Sequence, residues 1–114
     1  MAGEVTDWTK IVWLFAFFDL PVVGATEKRR YMRFRAALQR RGFLMLQWSV
    51  YARAYPSVEA SSPHAKEIEA HVPPGGRVRL LVVTDRQFEK MIVCEGAKRS
   101  APERPIGQLV LFAH

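Results

Sequence analysis

The stretch IVWLFAFFDLP at residues 11–21 decides the fold. It begins with eight apolar residues, at positions 11–18, and then reaches Asp19 and Pro21. A short apolar run that is rich in aromatic and β-branched residues is typical of a central strand covered on both faces. Pro21 has no backbone N–H to donate, so the strand must stop there. We therefore expect residues 11–18 to form the central strand of a sheet.

Asp19 is the first polar residue after this run and is the leading candidate for a functional site. Side chains at the ends of central strands stand on rigid backbone and emerge into a cleft. A carboxylate there suits Mg²⁺, which takes one or two carboxylates together with water and phosphate oxygens. Glu27 and Asp85 are possible helpers, although their spacing points to neither. The alternative is that Asp19 bonds a backbone amide of the turn before Pro21.

A basic helix is expected next, over residues 26–41. Thr26 with Glu27 behind it suits the N-terminus of a helix, and Gly42 suits its C-terminal stop. At 100° per residue, one face collects three apolar side chains, which are Tyr31, Phe34 and Leu38. A separate face aligns Arg29, Arg33 and Arg40. The pattern predicts an amphipathic helix that carries a stripe of arginines.

The rest of the chain alternates strand and helix patterns. Residues 43–54 have a period of two, which predicts one long strand or two short ones with a break. In that alternation Leu44, Leu46, Trp48, Val50 and Ala52 point one way. Further expected elements are a weaker helix over 57–71, a turn at 73–76, a strand over 78–82 with Arg77 and Arg79 on its opposite face, a connection at 85–89, a short strand at 91–94, a linker at 100–107 and a final short strand at 109–112.

This order of elements predicts one α+β domain spanning residues 1–114, with residues 1–9 as an N-terminal extension. A chain of 114 residues has room for a single domain. A strand, helix and strand joined by a right-handed crossover give parallel or split pairings in one sheet, with the helices on one face.

The charge of the chain favours a polyanionic partner. It has 17 Lys and Arg against 11 Asp and Glu, a formal net charge of +6, and a sequence pI near 10.0. Arginine, which makes bidentate contacts with phosphate, outnumbers lysine. Such residues hold phosphates without reading base sequence; simple solubility is the alternative. The candidate nucleic-acid-binding residues are Lys28, Arg29, Arg30, Arg33, Arg40, Arg77 and Arg79, and Arg35, Arg41 and Arg53 belong to the same basic set.

Three other observations narrow the classes of protein. Cys94 is the only cysteine, so no internal disulfide forms, and its apolar neighbours suggest a packed thiol in a reducing compartment. No apolar run approaches the ~20 residues that cross a bilayer, and the first residues lack the basic segment of a signal peptide. His64 and His71 lack a third ligand for zinc. We expect a cytoplasmic protein without membrane contact.

Ser49 is a small polar residue within the alternating segment, and it is a candidate to line the same cleft as Asp19. No histidine lies nearby in sequence to activate it as a nucleophile. A polar residue at an interface is the alternative interpretation.

Several short motifs, in a fixed order, resemble one known family. They are FFDLP at 17–21, RRYxxFRxxL at 29–38, GF at 42–43, QxSVY at 47–51, GxVR at 76–79 and TDxQF at 84–88. Together, over about positions 11–112, they resemble the small CRISPR-associated Cas2 family in the form that accompanies type II systems. The residue before Asp19 is often tyrosine in that family and is Phe18 here.

The resemblance implies a ferredoxin-like βαββαβ sandwich with an additional C-terminal strand, assembled as a homodimer. It implies a subunit of CRISPR adaptation that bridges dimers of the larger integrase subunit and binds DNA. It also implies a Mg²⁺-dependent endonuclease on RNA or DNA, with Asp19 of each protomer as the metal ligand and catalytic residue and Ser49 behind it. The final strand, with Leu109, Val110, Leu111 and Phe112, would dock in the assembly.

Three functions remain open at this point. The first is an adaptation subunit with nuclease activity, and the second is the same subunit as a non-catalytic DNA-binding scaffold. The third is a ferredoxin-like regulator that binds a small molecule in an apolar cleft.

Overall fold

A computed structural model describes residues 10–96 of the chain. Its elements are β1 (Val12–Asp19), α1 (Ala25–Arg40), β2 (Leu44–Gln47), β3 (Val50–Tyr55), α2 (Val58–Ala70), β4 (Arg77–Thr84) and α3 (Asp85–Glu89). The four strands form one sheet in the order β2-β3-β1-β4, and all three pairs are antiparallel. This is the ferredoxin-like βαββαβ arrangement, so the expected fold class is confirmed. Of the two pairing types expected, the split one is found: β3 lies between β1 and β2 and is antiparallel to both.

β1 is the central strand that its apolar run predicted. It pairs with β3 on one side and with β4 along its whole length on the other. Its even-numbered side chains, such as Leu14 and Phe18, share one core cluster with Tyr31, Phe34 and Leu38 of α1 and with Ile68 of α2. Burial of each such side chain stabilises the fold by roughly 1.5–3 kcal/mol. This face of the sheet therefore carries the main core.

The opposite face of the sheet, which we call the open face, is covered only in part. Trp13 and Phe15 are buried there under Phe88 of α3, and the Trp13 and Phe88 rings stack at 4.1 Å. The Trp13 indole Nε1 donates a hydrogen bond of 2.8 Å to Asp85 Oδ1, which fixes α3 to β1. Level with Phe15, near the middle of β1, Leu44 and Leu81 on the flanking strands remain exposed. The expectation that all helices lie on one face is therefore wrong for α3.

α1 begins slightly earlier than expected and ends as expected. Its N-cap is Gly24 rather than Thr26, because Glu27 accepts hydrogen bonds from the amides of Val23 and Gly24 at 2.9 and 3.1 Å. At the other end Gly42 has φ +84° and donates its amide to Gln39 O at 3.0 Å. This left-handed residue closes the helix at little steric cost, as glycine does.

Residues 43–54 form two strands, with the break at Trp48 and Ser49. Of the two arrangements considered, the two-strand one is found. Leu44 and Ala52 are Cα partners across the hairpin, and both lie on the open face. Trp48 departs from the predicted alternation, because the turn carries its ring back onto Tyr31 of α1.

Three expectations for the end of the described chain were wrong. The connection at 85–89 is a short helix, capped by Thr84 and Gln87, whose side chains bond each other's amides at 3.0 and 2.9 Å. Residues 91–94 are not a strand, and Cys94 is exposed rather than packed. α3 ends at Glu89, and the apolar side chains after it reach no element among residues 10–96 that would bury them.

The extension at 1–9, the linker at 100–107 and the strand at 109–112 lie outside the described residues. Between residues 10 and 96, no helix is long and apolar enough to cross a membrane.

Candidate functional site

Asp19 stands on a rigid support. It is the last residue of β1 and is exposed, while Phe18 before it is buried. The Phe18 ring packs edge-on against Phe34 at 5.0 Å and lies 5.7 Å from Tyr51. The Phe18 amide donates a hydrogen bond of 3.1 Å to Ser49 O. Because neighbouring residues of a strand face opposite sides, this anchoring projects the Asp19 carboxylate toward the open face.

The neighbours of Asp19 on the open face are basic. Its Cα partner across the β1–β4 ladder is Arg77, and the partner of Phe17 is Arg79. Arg77 and Arg79 are both exposed, on the side of β4 that the sequence predicted. Within residues 10–96 the Asp19 carboxylate makes no hydrogen bond or ion pair, and no bond to a turn amide is present. The carboxylate is therefore available to a ligand.

The two carboxylates considered as helpers are elsewhere and have other roles. Glu27 caps α1, as described above. Asp85 binds Trp13 and donates its amide to Ile11 O at 3.0 Å, which places it at the start of β1. With about 3.4 Å of rise per residue, the two ends of β1 are roughly 20–25 Å apart. Neither residue joins Asp19.

The ligand atoms available at this end of β1 fit Mg²⁺. No group of three or more His, Cys, Asp or Glu side chains among residues 10–96 is arranged to hold a metal ion by itself. One exposed carboxylate matches an ion that keeps several waters and takes one or two carboxylates plus phosphate oxygens. A second carboxylate would come from Asp19 of another copy, if a two-fold axis passes near this end of β1.

Ser49 supports the backbone next to Asp19 and does not act as a second reactive group. Its carbonyl holds the Phe18 amide, and its Oγ is 3.0 Å from the hydroxyl of Tyr31 on α1. Its φ is +66°, a left-handed conformation that is uncommon for residues other than glycine. Ser49 therefore joins the β2–β3 turn, β1 and α1, and it fixes the backbone next to the carboxylate.

The basic residues of α1 form a second surface, in the helix layer. Arg30, Arg33 and Arg40 line a groove of about 350 Å³ together with His71, Phe34, Pro73 and Pro74. Lys28, Arg29 and Arg33 border a shallower depression beside it, with Met32. We call the groove the basic groove. His71, which the sequence suggested only as a possible zinc ligand, is thus a fourth side chain of the basic groove beside the three arginines.

The basic groove and Asp19 are connected by one loop. Pro73 and Pro74, which line the groove, lead into Gly75 and Gly76 before β4. A Cβ on Gly76 would collide with Leu20 Cδ2, just after Asp19. The predicted basic set is thus divided: Arg77 and Arg79 lie beside Asp19, and the α1 residues lie around the edge of the domain.

The remaining arginines of the basic set are used inside the fold. Arg35 Nε donates to the Tyr51 hydroxyl at 2.5 Å, and Arg53 donates to Arg41 O at 2.8 Å. Arg41 Nε donates to Glu67 Oε1 at 2.7 Å, and this bond lowers the pKa of the Glu67 carboxyl. Residues with these partners hold α1, α2 and β3 together.

His64 belongs to the same internal network. Its Nδ1 lies 2.6 Å from the Tyr55 hydroxyl and 3.0 Å from an Arg53 guanidinium nitrogen. Burial raises the pKa of the Tyr55 hydroxyl. The Arg53 guanidinium can only donate, so its contact assigns His64 Nδ1 the role of acceptor. His71 bonds Glu67 O with its own Nδ1 at 2.7 Å. The two histidines serve different neighbourhoods.

Comparison with known proteins gives a consistent result. The family model described as CRISPR associated protein Cas2 matches residues 12–91. A protein of Parvibaculum lavamentivorans named "CRISPR-associated endoribonuclease Cas2" is 42% identical over 101 residues, covering 89% of this chain and 100% of that protein. Proteins with the same name from Flavobacterium psychrophilum and Acidovorax ebreus are 36% and 40% identical, covering 89% and 73% of this chain and 88% and 81% of their own lengths.

The fold also matches a solved structure titled "Crystal structure of cas2". The TM-score is 0.58, with 12% sequence identity, over 83% of this chain and 97% of the other. At this identity the likeness concerns the fold alone.

Proposed function

The chain belongs to the CRISPR associated protein Cas2 family, and from this we propose that it is a homodimeric, Mg²⁺-dependent endonuclease that cuts RNA. The observation that carries the proposal is Asp19, an exposed carboxylate without an internal partner on a rigid strand end, beside Arg77 and Arg79. The relatives are named endoribonucleases, which favours RNA over DNA. The direct test is cleavage of short RNA and of duplex DNA with Mg²⁺ by the wild type and Asp19→Asn.

The chain's own residues would divide the work by position. The two Asp19 carboxylates of a dimer would hold the ion, which supplies binding of a phosphate oxygen and activation of water. Arg77 and Arg79 would hold the phosphates on either side of the scissile one, as arginine does without reading bases. Phe18 and Ser49 keep the carboxylate in place through the backbone hydrogen bond of 3.1 Å.

The open face supports the two-fold arrangement. It exposes Leu44 and Leu81 and leaves Phe17 half-buried next to Asp19. Exposed apolar side chains on a sheet face mark an interaction surface. A second copy seated there would cover them and would bring the two Asp19 residues toward the axis.

The dimer has a simple expected result. The mass of the protein in solution should be near twice the 13.0 kDa of the chain, measured by light scattering at micromolar concentration. Leu81→Asp, which places a charge on the open face, should shift the mass toward the monomer. Exposed Met32 on α1 offers a control, because Met32→Asp leaves the open face unchanged. A wild-type monomer would contradict a site shared between two copies.

A second role follows from the basic groove. We propose that the protein also serves as a DNA-binding scaffold of CRISPR adaptation, together with the integrase subunit. The groove lies in the helix layer and Asp19 on the open face, so the two surfaces can hold nucleic acid independently. Docking of the integrase through residues 109–112 concerns a segment outside the described residues.

The scaffold role predicts a change in salt dependence. Each phosphate contact contributes about 0.9 to the slope of log affinity against log salt for duplex DNA. Replacing both Arg29 and Arg33 with Gln should therefore flatten the slope by up to about 1.8. The measurement is anisotropy of a labelled duplex across a salt series. Arg86→Gln, at an exposed residue of α3, is the control, and a slope that is equal in all three proteins would remove α1 from the DNA site.

The small-molecule regulator is not favoured. The hollow between α2 and β4 is bordered by Lys66 and Glu69 as well as by Ala65, Val72 and Leu80. Because two charged side chains border this hollow, it does not match the apolar cleft that a small-molecule regulator requires.

A further inference from the structure

The basic groove is concave, and its charged side chains share one sign. It lies between α1 and the loop that joins α2 to β4, with a volume of about 350 Å³. Positive groups that converge in a recess focus the electrostatic potential and concentrate anions there. No carboxylate belongs to its described lining. The charged or titratable side chains of the lining are Arg30, Arg33, Arg40 and His71.

The shape of the basic groove suits a small ligand. Ligand pockets usually measure about 300–1,000 Å³, and the basic groove falls at the lower end of this range. A duplex, whose phosphates lie on a convex surface, would rest on the rim of the groove and leave its floor to a smaller molecule. Pro73 and Pro74 add apolar surface to one wall, against which a ring attached to a phosphate can pack. A nucleotide-sized anion therefore matches both the volume and the lining.

His71 lets the basic groove distinguish a doubly charged phosphate from a singly charged one. Its Nδ1 is 2.7 Å from Glu67 O, and because a carbonyl oxygen only accepts, Nδ1 carries a proton. Nε2, on the far side of the ring from this bond, is then the atom that gains or loses a proton when the side chain changes charge. A phosphate monoester has two negative charges above about pH 6, whereas a diester has one. The dianion therefore favours a protonated Nε2 more strongly.

The other charged groups around His71 come from both helices. On its own helix the Glu67 carboxylate is nearby, but it is bound to Arg41 Nε at 2.7 Å. The loop at 73–76 has no titratable side chain. A dianion between the ring and the arginines would add the negative charge that stabilises the imidazolium, so binding and uptake of a proton at Nε2 are coupled. The arginines that share the groove with His71 are Arg30, Arg33 and Arg40, all on α1.

We propose that the basic groove binds a phosphate monoester on a small organic group, such as a mononucleotide. The three arginines hold the phosphate oxygens, as guanidinium groups do in bidentate contacts. His71 Nε2 adds a fourth donor, and Pro73 and Pro74 pack against the attached ring. This ligand is additional to the RNA of the nuclease and to the DNA of the scaffold, and the inference rests on neither function.

The test measures binding of adenosine 5′-monophosphate (AMP) to the full chain by isothermal titration calorimetry in low salt, at about pH 7. The matched ligand is 3′,5′-cyclic AMP, which keeps the base and the sugar but is a diester with one charge. AMP should bind at least about tenfold more tightly, since a hydrogen bond between charged groups is usually worth that factor or more. Equal affinities for the two ligands, or no binding of AMP, would overturn the inference.

Arg40→Gln tests whether the basic groove itself holds the phosphate. It should weaken AMP binding by about tenfold or more, because one charged hydrogen bond is lost. Arg40 is exposed, so the change should leave the fold intact. Arg86→Gln removes the same charge from α3, on the open face, and should bind AMP as the wild type does. Equal weakening in both variants would show that net charge, and not the basic groove, attracts the nucleotide.

His71→Gln separates the role of the histidine from that of the arginines. In the wild type the affinity for AMP should fall as the pH rises from about 6.5 to 8.5, because histidine side chains lose their charge in this range while AMP remains a dianion. In His71→Gln the affinity should stay nearly constant over the same range. A wild-type affinity that is independent of pH would contradict the coupling between the dianion and His71.

The same chemistry occurs in a free mononucleotide and at the phosphorylated end of a strand. A short oligonucleotide with a 5′-phosphate and its 5′-hydroxyl counterpart separate these sources. Equal binding of the two, with AMP bound, assigns the basic groove to free nucleotides. Tighter binding of the phosphorylated strand, lost in Arg40→Gln, assigns it to strand ends as well. Failure of AMP binding leaves the proposed nuclease and scaffold untouched, because cleavage at Asp19 and duplex binding are measured without AMP.

Discussion

Asp19→Asn should abolish cleavage of RNA in Mg²⁺, by more than about 100-fold. Loss of a partner that merely supports a metal ligand already costs roughly 10–100-fold in affinity or activity, and Asn removes the charge of the ligand itself. The shape of the side chain is almost unchanged, and Asp19 is exposed without an internal partner. Stability should therefore change by no more than about 0.5 kcal/mol. The measurement is initial cleavage rate at several Mg²⁺ concentrations, with the melting temperature recorded for both proteins.

The control for this variant is Glu89→Gln, which removes an exposed carboxylate at the end of α3. Its cleavage rate should equal that of the wild type. A binding measurement with Mn²⁺ as a spectroscopic probe gives a readout independent of turnover, and Asp19→Asn should lose the bound ion. Full activity in Asp19→Asn would show that the ion is held elsewhere. If the wild type cleaves neither nucleic acid but still binds DNA, the scaffold role would be the only one of the two to remain.

The position of Asp19 at the end of a central strand could be predicted from the sequence for a physical reason. The long apolar run before it needs cover on both faces, which only a central strand provides, and the first polar residue then falls at the strand end. The motif FFDLP alone also allowed a turn cap. Only the three-dimensional arrangement separates these cases, because it shows Asp19 beside Arg77 and without a bond to a turn amide.

The division of the basic residues between two surfaces could not be predicted from the sequence. Periodicity places Arg33 on a helix face and Arg79 on a strand face, but it carries no information on which layer each face meets. The topology puts Arg79 next to Phe17 and puts Arg33 at the basic groove. His71 joins that groove only because α2 ends where the loop of Pro73 and Pro74 begins.

The errors near residues 85–94 have two causes. Apolar residues such as Ile92 predict a strand only when another element buries them, and Ile92 is 83% exposed. α3 was readable from Thr84 and Gln87, the two ends of a capping box. A helix of five residues shows too little periodicity for the pattern to be recognised otherwise. The break between β2 and β3 was one of the two arrangements predicted, but the direction of the Trp48 ring was not, because a left-handed serine has no distinctive sequence pattern.

α3 leads to the second large effect, which concerns stability. Phe88→Ala should lower the free energy of unfolding by about 3–5 kcal/mol, the usual cost of removing a buried aromatic ring. Phe88 is 1% exposed, stacks on Trp13 at 4.1 Å and meets Phe15 at 5.7 Å. Because whole domains are stable by only about 5–15 kcal/mol, this is a large fraction. The melting temperature should fall by more than about 10 °C.

The comparison is made by urea unfolding at one protein concentration, since an associating protein gains stability with concentration. Phe88→Leu should cost less than Phe88→Ala, because it keeps part of the apolar volume over Trp13. Ile92→Ala, three residues after α3, should change stability by no more than about 0.5 kcal/mol. Equal stability of Phe88→Ala and Ile92→Ala would mean that α3 does not cover the open face. In that case Trp13 and Phe15 would be exposed in the free protomer, and the interaction surface on the open face would extend along the whole of β1 rather than only from its middle to Asp19.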